Sequence, residues 1–495
     1  MAAEGNIEIG YPKNLAYNLK ELLGGFNKQK VKVLGDLQTT SASGVVRFKL
    51  PANAIVDLRS LVLYFTGSTA GTGSTTSYIH FPRYSSSLLQ KITISANNIT
   101  LCSINEYGLL YNALMDMEGA DSSQYSKRIG EVFDPTIRWS QTTSAGTSAT
   151  NENAIAGVIN HSVTGATSND TNVNMCINNW LGFLGSCSTP CIDTTDFSDI
   201  FVEFAFAPST VLYHSTITTS APTLSNVNYT LTNIFMTLDL ITFGSSLYYD
   251  LKLEKLVGKG LTIGYYDYWT SKFTAVSKSS GVAVNFNLNS GCLDQLIATF
   301  QNADVLSGVR PLVMYGGNAL SSGTLAALPK ILSDPLTYVN CEGTYGTNHF
   351  ENYAQGDAFA QSYYFRRAGN DLISSQWTIN SKAIDNYALT PLEIFNKDLQ
   401  YMGYNNIDLG SSGLHAGILS LYHWLKYYFI DICDLTNLAG DSSFWIAGLN
   451  SAGSSINIQY NATFASTNTA SIIPVVFARS SKKLTIHAGK QLEIY

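Results

Sequence analysis

The sequence predicts an all-β fold built from two consecutive sandwich units, and three observations predict it. Apolar and polar residues alternate with a period of two in several runs, clusters of Gly, Ser, Thr and Asn divide those runs, and a strand-turn-helix pattern occurs twice, 284 residues apart. A period of two turns one face of a strand toward a core and the other toward water. The 495 residues suit two such units, because one all-β domain often runs to roughly 200–250 residues.

Residues 1–32 read as an arm. Pro12 stands where a first helical turn accepts proline, and Leu15, Leu19, Leu22 and Phe26 recur at three- and four-residue steps until Gly24-Gly25 weakens the pattern. This predicts a short amphipathic helix, packed on its own domain or sent toward a neighbouring subunit or an internal partner. From residue 44 the period becomes two. Val46, Phe48 and Leu50 alternate with Arg47 and Lys49, then Val56 and Leu58 with Asp57 and Arg59 ahead of the apolar run 61–65. Ile92 and Ile94 alternate with Lys91, Thr93 and Ser95, and the habit returns in Ile200–Phe206, 233–243 and Ile456–Phe464. In the last run every even-numbered residue is apolar and every odd one polar. Loop chemistry fills 67–77, 141–174 and 215–226.

The repeated pattern sets the organisation. The strand at 91–95 passes a turn at Asn97-Asn98 into a helical segment at 105–119, and 376–381 passes a comparable turn into 390–403. Tyr111-Asn112 falls on Phe395-Asn396 and Gly119 on Gly403, both at a displacement of 284. Ile456–Phe464 falls on Ile200–Phe206 at 256, and the extra loop at 141–174 accounts for the shortfall of 28. An eight-stranded jelly roll, which packs two sheets face to face and sets short helices in its crossovers, is a unit of this kind. The expected divisions are the arm 1–32, a first jelly roll at 33–217 and a second at 218–495.

Composition narrows the function. Apolar residues make up 45% of the chain, with 29 Tyr and 23 Phe, so wholesale disorder is excluded. Charged residues are only 13%, against about 25% in an ordinary globular protein. Seven cysteines are an odd number and sparse, which predicts free thiols in a protein made in reducing cytosol. The start, Met1 to Gly5, has no basic region leading into an apolar run, so classical export is not expected. The most apolar stretch, 414–432, is broken by His415, His423, Lys426 and Asp431 and does not read as a membrane span.

Tests for chemistry return little. None of the seven His fall four apart as one zinc-binding helix face requires. Cys187 and Cys191 have metal-like spacing but no nearby second pair, and Gly489-Lys490 and Gly258-Lys259-Gly260 lack the remaining residues of a phosphate loop. No G-x-S-x-G elbow occurs. Asp116 with Glu118, and Asp398 with Glu393, read as solvated acids. No catalytic, cofactor-binding or metal-ligating residue is assigned, and the chain does not read as an enzyme. The formal charge of −7 opposes a broad nucleic-acid footprint. The lysines of the arm, and Arg479, Lys482, Lys483 and Lys490, read as solvated charge or intersubunit pairing, with no sequence-specific nucleic-acid binding.

The segments Phe81-Pro82-Arg83-Tyr84 through Ile92-Thr93-Ile94, Asn105-Glu106-Tyr107 with the helix to Gly119, Tyr229 to Phe243 and Tyr248-Tyr249-Asp250-Leu251 together resemble the double jelly-roll major capsid proteins of icosahedral DNA viruses, seen in nucleocytoplasmic large viruses, virophages and polinton-like viruses. The resemblance implies a homotrimer whose six barrels form a pseudo-hexagonal capsomer, tiling an icosahedral shell around a DNA genome. It further implies synthesis in the host cytoplasm and residence in the virion, with neighbouring capsomers, penton and minor capsid proteins as partners. The arm would face inward, toward an internal membrane where one exists. Independently, low surface charge and abundant Tyr suit flanks covered by copies of the same chain. The competing class is a secreted carbohydrate-binding β-sandwich, an adhesin or lectin whose Tyr and Trp stack on sugars. It calls for secretion and calcium-binding acid clusters, and neither is visible in the sequence.

Overall fold

The computed structural model describes residues 27–72, 77–82, 84–117, 161–162, 173–216, 225–242, 247–258, 260–303, 305, 310–313, 363–401, 421, 424–425, 428–436, 448–451 and 456–494. The expected arm helix, most of the 141–174 loop, Gly119 and Gly403 lie outside them.

Sixteen of the described strands fall into two sets of eight, and each set has two further strands paired onto one of its sheets, Thr40–Ser41 and Val173–Ile177 in the first and Val276–Ser277 and Gln491–Ile494 in the second. The first set is β1 (Asn27–Leu34), β2 (Val45–Lys49), β3 (Ile55–Thr72), β4 (Leu89–Ala96), β5 (Ile99–Asn105), β6 (Cys191–Asp193), β7 (Ile200–Phe206) and β8 (Ser225–Thr242). The second is β9 (Leu261–Lys272), β10 (Val282–Leu288), β11 (Leu293–Asn302), β12 (Leu372–Ile379), β13 (Lys382–Ala383), β14 (Asp431–Asp434), β15 (Ile456–Phe464) and β16 (Ser471–His487). In the first set the sheets run β1-β8-β3-β6 and β2-β7-β4-β5; in the second they run β9-β16-β11-β14 and β10-β15-β12-β13. Adding eight to every strand of the first unit reproduces the second, and all these pairs are antiparallel. Each unit is thus an eight-stranded jelly roll.

The local chemistry explains why these residues take these places. In β15 each even-numbered side chain is buried and each odd one faces outward to some degree, as the alternation requires. The β4–β5 hairpin turns on Asn97 (φ 52°) and Asn98 (φ 63°), and β12–β13 turns on Asn380 (φ 48°) and Ser381 (φ 64°). Two consecutive positive φ values match the twist of a tight hairpin, and Asn tolerates them best after Gly. The helices α1 (Tyr107–Met117) and α3 (Pro391–Tyr401) stand at the predicted displacement of 284. Proline opens α3, and Glu393 Oε2 accepts from Thr390 N at 2.8 Å and Thr390 Oγ1 at 2.7 Å, so the first-turn glutamate reaches back to cap the helix start. Aromatic rings fill both cores: Phe48 meets Phe204 edge-on and Trp180 stacks on Phe204 in the first, while Phe300 stacks on Phe429 and meets Phe464 edge-on in the second.

Three expectations are corrected. The boundary at 217 falls before β8, whose partners β1 and β3 both belong to the first unit, so by strand pairing that unit extends to Thr242 and α2 (Leu247–Gly258) leads on to β9. The last six residues of the arm, 27–32, are the beginning of β1 and pair along β8. The segment 67–72, taken as loop, continues β3. Gly67 is there because a Cβ would lie 2.3 Å from Met175 Cε and 2.9 Å from the Phe81 ring, so the glycine marks close approach inside a strand and not a turn. Within the apolar stretch 414–432, Tyr428 to Ile432 enter the second core, and among the described residues no helix is long and apolar enough to cross a membrane.

A fifth, smaller sheet joins Ser77–His80, His161–Ser162, Tyr213–Thr216 and Arg310–Val313. Its last strand comes from the second half and runs parallel to Tyr213–Thr216, so the excursions of both halves share one sheet.

Candidate functional site

The feature that decides what this chain can do is the junction of its two sandwiches. β5, the outer strand of one sheet of the first unit, faces β9, the outer strand of a sheet of the second. Tyr265 OH donates to Leu101 O at 2.7 Å, Thr270 Oγ1 to Asn105 O at 2.8 Å, and Lys272 Nζ lies 3.0 Å from Glu106 Oε1. Cys102 Sγ donates to Asp267 Oδ1 at 3.1 Å, and Lys482 from β16 pairs with the other oxygen of the same carboxylate. Burial pushes the Cys102 thiol well up, and the neighbouring Asp267 charge adds to this, so it acts as a donor and not a nucleophile.

The free edge of β9 is covered as well. Residues 182–188 of the first unit lie along it: Ser188 N donates to Gly264 O at 2.7 Å, Gly264 N to Ser188 Oγ at 2.9 Å, and Tyr266 N to Ser186 Oγ at 2.8 Å. An edge paired in this way no longer templates unwanted strand addition. Gly182 opens this segment at φ +70°, where an added Cβ would lie 2.6 Å from Ile104 Cδ1 and 2.8 Å from Cys102 Sγ. A third contact comes from the turn after β16, where Asn97 Nδ2 donates to Lys490 O at 2.7 Å and Lys490 Nζ to Phe197 O at 3.0 Å.

The connecting helix α2 is pinned by charge. Lys252 Nζ lies 2.6 Å from Asp193 Oδ2 and 2.8 Å from Asp196 Oδ1, with all three side chains at least largely buried. Burial works against the charge on both acids. At Asp193 the hydrogen bonds from Lys252 and Thr195 outweigh it and hold the carboxyl below its ordinary range, whereas at Asp196 burial prevails and the carboxyl is raised.

The second unit holds a buried polar cluster where α3 meets its strands. Asp431 on β14 is wholly buried and accepts from Lys397 Nζ at 3.0 Å, Tyr460 OH at 3.0 Å, Trp377 Nε1 at 3.3 Å, and Ser375 Oγ. Asp398, equally buried, accepts from Ile432 N at 2.9 Å through Oδ1, while Oδ2 has no hydrogen-bond partner among the described residues. Burial first, and then the Asp431 charge, drives the Asp398 carboxyl well above the usual range, so it keeps its proton. Lys397 is held at about 12: burial lowers it, but the charge and hydrogen bond of the Asp431 carboxylate prevail. The cluster ties α3 to three strands, β12, β14 and β15. At the helix displacement of 284, Lys397 and Asp398 correspond to Ala113 and Leu114 of α1, so the matching positions of the first unit carry apolar side chains.

The residues singled out in the sequence fall as follows. Asp398 does not lie on a solvated face, which corrects that reading; Glu393, its companion, is the α3 cap, while the side chains of Asp116 and Glu118 lie outside the described residues. The signal for Asp398 was present, since it sits four residues after Ile394 and beside Leu399 on the stripe that α3 turns to the core. Cys187 donates to Phe183 O at 2.9 Å, with its thiol pushed up to about 12 by burial, and Cys191 lies exposed on β6 near Asp57 and Arg59. Gly489 (φ +80°) and Lys490 (φ 63°) make the tight turn after β16, and Gly260 (φ +78°) opens β9 where a Cβ would press on Ile486 O. Among the described residues no group of three His, Cys, Asp or Glu is arranged to hold a metal ion, and His487 lies 3.2 Å from Glu493.

Several large apolar side chains are left on the outside. Ile373, Ile384, Tyr387 and Leu392 surround the β12–α3 corner, where Ser375 bridges to Leu389, and Leu253 and Val257 stand one turn apart on the outer side of α2, the latter 72% exposed.

No protein-family model matches the sequence and no curated protein is similar to it. Solved structures are similar in fold. VP54 of PBCV-1, whose crystal structure was fitted into a reconstruction of the Sputnik virophage, aligns over 95% of this chain and 96% of its own at 10% identity and a TM-score of 0.50. A chain of the Sputnik virophage structure aligns over 95% of this chain and 89% of its own at 12% identity and 0.51, and the Faustovirus major capsid protein over 93% and 90% at 10% and 0.50. The chain has the double jelly-roll fold of these structures.

Proposed function

We propose that this chain is a major capsid protein, a structural building block and not an enzyme, which assembles as a homotrimer into pseudo-hexagonal capsomers of an icosahedral shell around a DNA genome. One observation carries the reading: two sandwiches of identical strand order are locked side by side through β5, β9 and the 182–188 segment. A protomer with two similar lobes gives six lobes under threefold symmetry, and six-lobed bodies tile a flat facet. The fold shared with the Faustovirus major capsid protein supports it, as do the exposed apolar side chains at the β12–α3 corner and on α2. Its place is the virion after synthesis in the host cytoplasm, its partners are neighbouring capsomers with penton and minor capsid proteins, and its arm faces inward.

Light scattering on the purified protein tests this. A trimer of 53.8 kDa chains has three times that mass, about 161 kDa, and negative stain then shows six-lobed particles. A stable monomer at micromolar concentration overturns the reading, and glycan binding by that monomer would place the chain with the adhesins.

A further inference from the structure

The turn Lys278–Ser280 before β10 drives a lysine into the second sandwich. Lys278 is 1% exposed, and its Nζ donates to Asn370 O at 2.8 Å and to Asn370 Oδ1 at 2.6 Å, with the Phe464 ring centre 5.1 Å away. Burial brings this amine down to about 8, against a smaller upward pull from Asp371, so a useful fraction is neutral under mild conditions. A neutral amine held in an apolar pocket is a nucleophile. Beyond the amide, Asn370 Nδ2 donates to Asp371 Oδ2 at 3.1 Å, and Asn468 Nδ2 holds the same oxygen at 2.6 Å. Amine, carboxamide and carboxylate therefore stand in a row, with the carboxylate beside the amide nitrogen.

We propose that Lys278 and Asn370 join in an intramolecular isopeptide bond. The neutral Nζ adds to Asn370 Cγ, the atom one bond from the oxygen it already touches. A new C–N bond forms, the bond from Cγ to Nδ2 breaks, and one proton from Nζ passes to the departing nitrogen, which the Asp371 carboxylate holds at 3.1 Å and which leaves as ammonia. Nothing is oxidised or reduced, and no cofactor takes part. The product is a secondary amide that closes a ring between residues 92 apart.

The location gives the bond a purpose. β10 and β12 both flank β15, and Lys278 and Asn370 precede them at the same end of that sheet. The bond ties these two strands together with a brace that reducing conditions do not cut, whereas among the described residues the cysteines carry no disulfide. At the displacements that carry β2 onto β10 and β4 onto β12, the first unit has Ser41 and Ser87, which supply neither amine nor amide.

Mass spectrometry of the full chain held at pH 9 tests the proposal without reference to assembly. The intact protein is expected to be lighter than its sequence by about 17 Da, one ammonia, and a tryptic digest is expected to contain a branched peptide joining Lys278 to Asn370. Lys278→Ala and Asp371→Ala each restore the full mass; the second leaves both Lys278 and Asn370 in place but removes the acceptor of Asn370 Nδ2 and Asn468 Nδ2. Separate peptides carrying intact Lys278 and Asn370 would overturn the proposal, as would a 17 Da loss traced to a succinimide at Asn370 with Lys278 free. An Asp371→Ala chain that still forms the branch refutes the step as written.

Discussion

Replacing Lys397 with Met isolates the part of the second unit most dependent on charge. Met keeps the length and most of the apolar stem, so the packing change is small. What is lost is the ammonium on Asp431, whose side chain is 0% exposed. The carboxylate would then be left with three neutral donors, Ser375, Trp377 and Tyr460, and no counter-charge. Removing one partner from a buried pair costs about 3–5 kcal/mol, far above the value of an exposed pair. With a slope of about 2–3 kcal/mol per molar urea, the midpoint of the second unit falls by roughly 1–2.5 M. Tryptophan emission follows this transition directly, because Trp377 Nε1 donates to Asp431 and Trp424 is buried in the same core. Adding Asp431→Asn to Lys397→Met removes the stranded charge, so the double variant should be more stable than the sum of the singles by about 1 kcal/mol or more. A single variant within about 1 kcal/mol of the parent, or strict additivity in the cycle, would show that the pair is not what holds α3 to β14.

Two further outcomes follow from the same geometry. Asp398 is raised in the folded chain above the 3.8 of the free group, so its contribution is fully present below 3.8 and is lost as pH rises through its folded value; relative to Asp398→Asn, the parent should lose up to about 1.4 kcal/mol per pH unit across that window, and parallel stability curves would refute the buried proton. Gly182→Ala places a Cβ against Ile104 and Cys102 at a φ of +70°, which should cost at least about 1–3 kcal/mol and loosen the junction, read as faster amide exchange at Gly264 and Tyr266; unchanged exchange would show that residues 182–188 do not hold the edge of β9.

Most of the scaffold was legible because its signals are local. Alternation marked β2, β4, β7 and β15, Asn97-Asn98 marked the turn that follows β4 but not the hairpin onto β5, Asn380-Ser381 was counted with its strand, and the shared displacement of Tyr111-Asn112 and Phe395-Asn396 located α1 and α3. The division between units was misplaced because β8 starts inside a Ser- and Asn-rich stretch that has the composition of a loop, and its claim to be a strand rests on partners as far back as residue 27. Gly67 misled for the same reason: the contact that demands glycine is with Met175, over a hundred residues later. Asp398 was discounted because an acid on a helix is usually solvated, although its place on the core-facing stripe argued otherwise. Lys278 and Asn370 carry no mutual signal at all, since only the folded sheet brings two loops 92 residues apart into register.

The turn at Gly489-Lys490 has a consequence for the timing of synthesis. Lys490 meets Asn97 and Phe197, residues that leave the ribosome 393 and 293 positions earlier. The first barrel is thus fully translated long before its wall against the second is finished, and a ribosome that halts early releases a product with that wall open. A chain halted before Lys490 therefore keeps the β5–β9 seam but lacks the third of the three contacts that hold the two barrels together.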